Sequence, residues 1–230
     1  MKEVDAQQAQ SETESGGRIV SLREHCECGC DSLLVEFDPR RHAYRHREWA
    51  QGIQLAKTVA PEFNDGILHV TPESPMGERK LAYRMACVAQ RTHQWDFPTF
   101  PYPARRPDAE APDAFLYLKD RRVIGYLVVK ISPALIPADM KKLPRCFSTD
   151  HLWPQRVDNA EFREQSTRCV SEVFISANFR RSGIGTALVR AALEAYKLHA
   201  GELAFGGPFT EAGLTFAQRF AVNNLIRVGT

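Results

Sequence analysis

The chain has 230 residues, 43% of them apolar and 25% charged, with 30 Lys and Arg against 28 Asp and Glu for a net charge of +2. That is the composition of a globular chain long enough to bury a full core without disulfides, and the near-neutral balance argues against a broad basic surface with nucleic acid as its main partner. No apolar run reaches the roughly 18 residues that a bilayer span requires, and the polar, acidic opening MKEVDAQQAQSETESGG does not read as a signal peptide.

The expected setting is therefore the cytoplasm, or the nucleus of a eukaryotic cell, without a membrane partner. Thiols stay reduced there, and the six cysteines read as metal ligands or packing residues. Residues 1–18 carry almost no large apolar side chains, cannot offset the entropy of ordering, and read as a disordered tail. Residues 19–60 form a small zinc-finger-like module. It contains three cysteines within five positions, two histidines four apart, a short strand at 33–37 and a helix over 41–57.

Residues 66–230 read as one further domain. It opens with a strand at 66–72, closed by Pro72. A helix over 75–90 follows, carrying Leu81, Met85 and Val88 at helical spacing. Prolines at 98, 101, 103, 107 and 112 then make a loop on the surface or over a cleft. Two strands, 115–118 and 123–131, flank the turn Lys119-Asp120-Arg121. The second of them is apolar almost throughout, as a strand buried on both faces is. Residues 132–165 read as irregular, with several prolines. A strand at 169–176, a helix at 186–199, a strand at 203–207 and a helix at 211–221 complete the chain. The fold class is mixed α/β (α+β): a mainly antiparallel sheet flanked by helices, preceded by the small metal module.

The most informative stretch is SEVFISANFRRSGIGTALVRAALEAYKL. A strand through Glu172–Ser176 leads into Arg180 and Arg181, and Gly183-Ile184-Gly185 opens a helix with a wide apolar face. A helix N-terminus presents unpaired N–H groups and the positive end of a dipole. Glycines let phosphate approach that backbone, and arginines add permanent charge and donors. The turn is built for a diphosphate. Neither G-x-x-x-x-G-K-[ST] nor G-x-G-x-x-G is present, because position 188 is Leu188, so P-loop and dinucleotide-fold readings are set aside.

His42-x3-His46 places two imidazoles one helical turn apart, a spacing that suits zinc, and Cys28 lies a normal finger loop upstream. Cys26, Cys30 and His25 all compete for the fourth position, with Cys26 placed first. The remaining cysteines, Cys87, Cys146 and Cys169, read as packing residues, and Tyr196, on the apolar helix face, as core.

Arg180-Arg181-Ser182-Gly183-Ile184-Gly185 after the strand EVFIS resembles the acetyl-CoA pyrophosphate motif of the GNAT acetyltransferases. The finger, GILHVTPESP, CVSEVFISANFRRSGIGTAL and ELAFGGPFTEAGLTFAQRF are similar in order and spacing to the establishment-of-cohesion (ESCO-type) branch, over roughly residues 25–221. The resemblance implies a GNAT-like fold and acetyl-CoA as co-substrate. It implies cofactor contacts from Phe174, Ile175, Ser176, Arg180, Arg181, Ser182, Gly183, Ile184, Gly185 and Thr186. It also implies a structural zinc on Cys26, Cys28, His42 and His46, and a protein lysine as acceptor.

Two acidic positions of that branch fall at Arg190 and Gly207 here, so their carboxylate chemistry does not transfer. Glu172, on the strand before the phosphate turn, is at a position where many GNAT enzymes place a general base, and on a regular strand it shares a face with Val170 and Phe174. Glu202 and Glu211 are the next candidates, and Ser171 matches a serine of the ESCO-type motif. Two rival readings remain. One is acetylation of a small amine or antibiotic, with Phe97, Phe100 and Tyr102 in its pocket. The other is a CoA-binding docking module without catalysis.

Overall fold

The computed structural model describes residues 26–29, 39–56, 65–103, 111–137, 162–199, 202–206 and 210–220. The N-terminal tail, the expected strand at 33–37, His25, Cys30, Cys146 and Gly207 lie outside them. In chain order the elements are α1 (Pro39–Gln51), β1 (Ile53–Gln54), β2 (Gly66–Val70), α2 (Met76–His93), β3 (Asp113–Lys119), β4 (Arg122–Pro137), β5 (Phe162–Ile175), α3 (Ile184–Tyr196), β6 (Ala204–Phe205) and α4 (Glu211–Phe220). A one-turn 3-10 helix, Ala177–Phe179, joins β5 to α3. No helix among the described residues is long and apolar enough to cross a membrane.

The six strands form one sheet in the order β2-β3-β4-β5-β6, with β1 also pairing with the start of β4. All pairings are antiparallel except β5 with β6. The hairpin of β3 and β4 turns at Asp120 and Arg121, both at positive φ. Helices cover both faces, which is why β4 reads as continuously apolar. On one face Leu81, Met85 and Val88 of α2 and Trp49 of α1 meet Leu116, Tyr126, Val128 and Phe174. On the other, Leu188, Val189 and Ala192 of α3 meet Phe115, Leu127 and Val170. Cys28 and α1 share the first of these cores with the sheet, so the Cys/His segment is packed onto the domain.

Most element ends shift by a few residues from the sequence reading, α3 to Ile184–Tyr196 and β6 to Ala204–Phe205 among them, and three differences are larger or have a clear cause. The first helix stops at Gln51 rather than running to 57, because the chain turns at Gly52, whose N–H closes on the Glu48 carbonyl at 3.0 Å. α2 runs on to His93, past the last apolar positions that mark its stripe. Residues 132–137 and 162–165, expected to be irregular, are strand, paired from Ser132↔Thr167 to Pro137↔Phe162, and β5 so begins well before the expected 169. The β3 ladder ends at Asp113↔Val129. Beyond it no strand among the described residues pairs with that side of β4, and prolines are tolerated in strands at such an edge.

Two bulges set the phase of the central strands. Against β3, Ile124 is the extra residue of β4, between Tyr117↔Gly125 and Leu118↔Val123. Against β4, Ser171 is the extra residue of β5, between Val128↔Glu172 and Val129↔Val170. A bulge reverses which side chains face which layer. Val170 therefore packs under α3, while Phe174 packs under α2.

At its C-terminal end α3 is tied to the sheet by polar contacts. Tyr196 donates to Asp113 Oδ2 at 2.6 Å, and His69 Nε2 lies 3.1 Å from the same oxygen. Burial works against the Asp113 charge, but these two hydrogen bonds, with the charges of His69 and Arg168, outweigh it and hold its carboxyl below the ordinary range. Burial, then Asp113 itself, raises the Tyr196 hydroxyl. Tyr196 is thus a structural tie at the end of α3 remote from the phosphate turn.

Candidate functional site

The site is built where β5 loses a neighbour. β6 pairs with β5 only at Cys169↔Ala204 and Val170↔Phe205, and the Gly206 N–H then closes on the Val170 carbonyl at 2.8 Å. From Ser171 to Ile175 no further strand lies on that side of β5 among the described residues, while the other side stays paired to β4. Strand edges present backbone donors and acceptors to whatever lies alongside. A cleft of about 170 Å³ opens there, lined by Ser171, Glu172 and Val173 of β5, His93 at the end of α2, Trp95 just beyond it, and Phe216 of α4.

Glu172 is the one carboxylate among the described residues that lines this cleft. Its expected apolar setting exists, but not by the expected neighbours: the Ser171 bulge leaves it with Phe174 and the Tyr126 side of the sheet and sends Val170 to the opposite face. Glu172 is 4% exposed. One carboxyl oxygen, Oε2, accepts a hydrogen bond from Thr99 Oγ1, which also lies 3.1 Å from the Tyr126 hydroxyl. The other, Oε1, is buried without a partner. Burial pushes the carboxyl up to about 8, against the bond from Thr99, which works to lower it. A buried acid with one satisfied and one open oxygen, titrating near neutrality, is suited to exchange a proton with a bound group.

His93 stands across the cleft, its ring 6.4 Å from Phe174 and 5.2 Å from Trp95. Burial, then the positive charge of Arg180, keeps its imidazole below its usual pKa and so in the neutral form. Ser171 lines the cleft as the bulged residue, and its hydroxyl lies 3.5 Å from the Val128 carbonyl.

The phosphate turn follows directly from β5. The Arg180 Nε donates to the Ile175 carbonyl at 3.3 Å, and the Ser182 hydroxyl donates to the Phe179 carbonyl. Gly183 caps α3 at φ 84, and a Cβ placed on it would meet nothing within 4 Å. Its absent side chain therefore serves the left-handed backbone and leaves open space before the helix. Gly185 differs from the expected role of a phosphate-facing glycine: a Cβ there would stand 3.0 Å from the Phe216 ring, so this position brings α4 against α3. Arg180, Arg181 and Ser182 are exposed around the mouth of the turn.

The second cluster lies on α1 and the knuckle before it. Cys26 Sγ is 3.2 Å from His46 Nδ1 and Cys28 Sγ is 3.6 Å from His42 Nε2, with all four donor atoms within 4.8 Å of one another. A tetrahedral zinc bonded at ~2.0–2.3 Å holds its ligands ~3.3–3.8 Å apart, so two thiolates and two imidazoles in this arrangement fit the ion. The Gly29 N–H closes the knuckle on the Cys26 carbonyl at 3.0 Å, and a Cβ on Gly29 would collide with the Arg91 carbonyl of α2. The structure thus brings Cys26 to Cys28, His42 and His46.

The other acidic candidates stand elsewhere. Glu202 is exposed and accepts from the His199 N–H at 2.7 Å, and Glu211 is exposed in the first turn of α4. Arg190 is exposed on α3. Of the proline-segment aromatics, Phe100 is core, Phe97 is 81% exposed, and Tyr102 is exposed against Tyr83 at 5.1 Å. Sequence reasoning passed over His93, Trp95 and Thr99. Loss of the apolar stripe at Val88 and Ala89 concealed the extra helical turn that delivers His93, and no local pattern marks Thr99 as the partner of a glutamate 73 positions away.

Comparison with known proteins falls on the same elements. Residues 164–229 match the family model for the ESCO1/2 acetyl-transferase. That span holds β5, the phosphate turn, α3, β6 and α4. No curated protein sequence matches the chain significantly. Among solved structures, the xEco2 acetyltransferase domain bound to a CoA conjugate is similar with a TM-score of 0.52 at 18% identity, covering 74% of this chain and 96% of that one. A second structure of the xEco2 acetyltransferase domain gives 0.49 at 19%, covering 74% and 94%. An aminoglycoside acetyltransferase from an uncultured soil metagenomic sample, in complex with sisomicin, gives 0.41 at 13%, covering 72% and 92%. The family match is confined to residues 164–229, and the likeness to the xEco2 acetyltransferase domain is one of fold.

Proposed function

We propose that the protein moves an acetyl group from acetyl-CoA to an amine, with a protein lysine as acceptor and Glu172 as general base. The observation that carries this reading is the position of Glu172: a buried carboxyl with an unpartnered oxygen, in a cleft at the open edge of the strand that leads into the Arg180–Gly185 turn. The diphosphate of the cofactor lies against Arg180, Arg181, Ser182 and the N–H groups of Ile184, Gly185 and Thr186 at the start of α3. The pantetheine arm then runs along Phe174, Ile175 and Ser176, pairing with the β5 edge and bringing the thioester to the Ser171–Glu172 region. The solved xEco2 acetyltransferase domain carries a CoA conjugate, which supports the same assignment here.

In the reaction a neutral amine attacks the thioester carbonyl, whose oxygen is polarised by an N–H of the open β5 edge. The new C–N bond forms, Glu172 carboxylate accepts the proton that the nitrogen sheds, and the C–S bond breaks to release CoA as thiolate, which takes up a proton. The amine must arrive unprotonated, although a lysine side chain has an ordinary pKa of ~10.4, so the dry cleft that raises Glu172 also favours the neutral amine. Cys26, Cys28, His42 and His46 would hold a structural zinc, which supplies folding energy to the knuckle and α1.

A protein acceptor is favoured over a small amine by the proline segment. Its aromatics do not make a closed box: Phe100 is spent in the core and Phe97 points to solvent. The experiment is CoA release from acetyl-CoA with lysine peptides, polyamines and aminoglycosides supplied in parallel. Turnover with peptides alone supports the reading. Turnover with polyamines or aminoglycosides alone replaces the acceptor, and acetyl-CoA binding with no release from any panel replaces the enzyme with a docking module.

A further inference from the structure

Arg180 is exposed, and an exposed arginine has several freely rotating bonds, so something must hold its head at the phosphate turn if it is to bind there. The structure offers two holds. One is the bond from Nε to the Ile175 carbonyl at 3.3 Å. The other comes from a residue 131 positions earlier in the chain: the Arg180 guanidinium carbon stands 5.5 Å from the ring centroid of Trp49, within the ~6 Å over which an indole face attracts a cation. Trp49 itself is fixed. It is 8% exposed, in the core shared by α1, α2 and the sheet, and α1 packs against the one-turn helix that immediately precedes Arg180. The His46 ring lies 5.1 Å from the Trp49 ring, and His46 is one of the four clustered metal-type donors.

We propose that Trp49 is a positioning residue of the cofactor site: its ring face holds the Arg180 guanidinium at the diphosphate turn, and the Cys/His cluster steadies that ring through His46. The inference rests on the reading of the Arg180–Gly185 turn as the diphosphate site. The chemistry of the guanidinium makes the arrangement workable. An aromatic ring attracts the flat face of the group, whereas its N–H donors lie in its own plane. A guanidinium held by a ring on one face keeps its donor edge free for phosphate oxygens. An ammonium has no such division, so lysine at position 180 would not substitute. The arrangement also gives the small Cys/His segment a task in binding beyond bracing the fold, because the only described aromatic ring over Arg180 stands on its helix.

The test is a double-mutant cycle on CoA affinity, measured calorimetrically on the full zinc-loaded chain, with thermal melting to confirm folding. Trp49→Leu in the wild-type background should weaken CoA about two- to fivefold, the worth of one partly exposed cation–ring contact. In an Arg180→Ala background the same substitution should add no further loss. An unchanged affinity for Trp49→Leu, or an equal loss with and without Arg180, overturns the proposal. If Arg180→Ala alone leaves CoA affinity unchanged, the diphosphate reading itself fails, and that outcome is separate from the first two. Should Trp49→Leu not fold, Trp49→Phe keeps a ring with a weaker face. It is run through the same cycle, with an expected loss of about twofold that again vanishes without Arg180.

Discussion

Replacing Glu172 by glutamine tests the chemistry and the burial of this residue in one variant. The substitution keeps size and shape but removes the charge and the ability to accept a proton. With the carboxyl pushed up to about 8, roughly a tenth of it is ionised at pH 7, so kcat of the wild-type enzyme should climb about tenfold per pH unit below that value and level off above it. Glu172→Gln should lose this limb and fall by ~10²–10⁴ in kcat, the usual worth of a general base, with the deficit shrinking at high pH as free amine accumulates. Stability supplies a second readout that needs no acceptor. The group's pKa rises from an ordinary 4.5 in the unfolded chain to about 8 in the fold. Between those values the native state holds a proton that the unfolded state has lost, so wild-type stability is whole below pH 4.5 and declines as pH rises towards 8. The full decline amounts to an order of 4–5 kcal/mol at ~1.4 kcal/mol per unit. Glutamine cannot ionise, so the variant should melt higher than wild type at pH 8 and about equally at pH 5, even as it loses turnover. Near-wild-type kcat across pH 6 to 9 with a verified acceptor would refute the assignment and move the search to His93. Equal melting of the two proteins at pH 8 would refute the buried, proton-holding carboxyl.

Metal analysis of protein purified without chelator should find about one zinc per chain, and His46→Ala should lose it and open residues 26–56 to proteolysis, since metal binding supplies much of the folding energy of such modules; metal-free protein that remains protease-resistant would count against the site. Arg180→Ala combined with Gly183→Glu should abolish acetyl-CoA binding by calorimetry, because one change removes a phosphate donor and the other sets a carboxylate, on a backbone at φ 84, in front of α3; unchanged affinity would displace the cofactor from this turn. Thr99→Val removes the hydroxyl that donates to Glu172 and works to lower its pKa, so the midpoint of the kcat–pH curve should move to higher pH, with activity at pH 7 reduced and activity above pH 9 recovered. A midpoint that stays in place or moves to lower pH would show that Thr99 does not set the ionisation of the base.

The elements whose signals are local were legible in the sequence. The β3–β4 turn shows in the break between two apolar runs, α3 in its stripe of Leu188 and Ala192, and the turn before α3 in its glycines. The likeness of those motifs to a family carried the reading further, to the sheet type and the cofactor. What escaped depends on distant residues. The ribbon at 132–137 and 162–165 was hidden by Pro133 and Pro137, because a proline signals a break unless the strand edge it occupies is known to be free. The setting of Glu172 was half legible: alternation on β5 predicts a buried side chain, but the Ser171 bulge that replaces Val170 with the Tyr126 side as its surroundings is a property of pairing with β4. His93 lines the cleft from the last turn of α2, and Thr99 meets Glu172 across 73 positions of sequence.

The bulge also explains how a chain with Arg190 in place of an expected acid can still supply a base. Arg190 is exposed on α3. A carboxylate at that point would stand in water near its ordinary pKa of ~4.3 and would be a poor proton acceptor for an amine near neutrality. Glu172 has the opposite setting. One residue inserted at Ser171 turns it away from the α3 layer, where Val170, Leu188 and Val189 are packed without polar partners, and toward Thr99 and Tyr126, which accommodate one of its oxygens. The same irregularity coincides with the last described pairing of β6 with β5, so among the described residues an unpaired edge and a re-aimed carboxyl occur within two residues. The proposed base and the edge that would polarise the thioester thus both lie at one local break in the ladder, and the Arg180 turn follows the same strand. The chemistry proposed for this protein requires those three features close together in the chain, and β5 with the turn that follows it supplies them between Ser171 and Gly183.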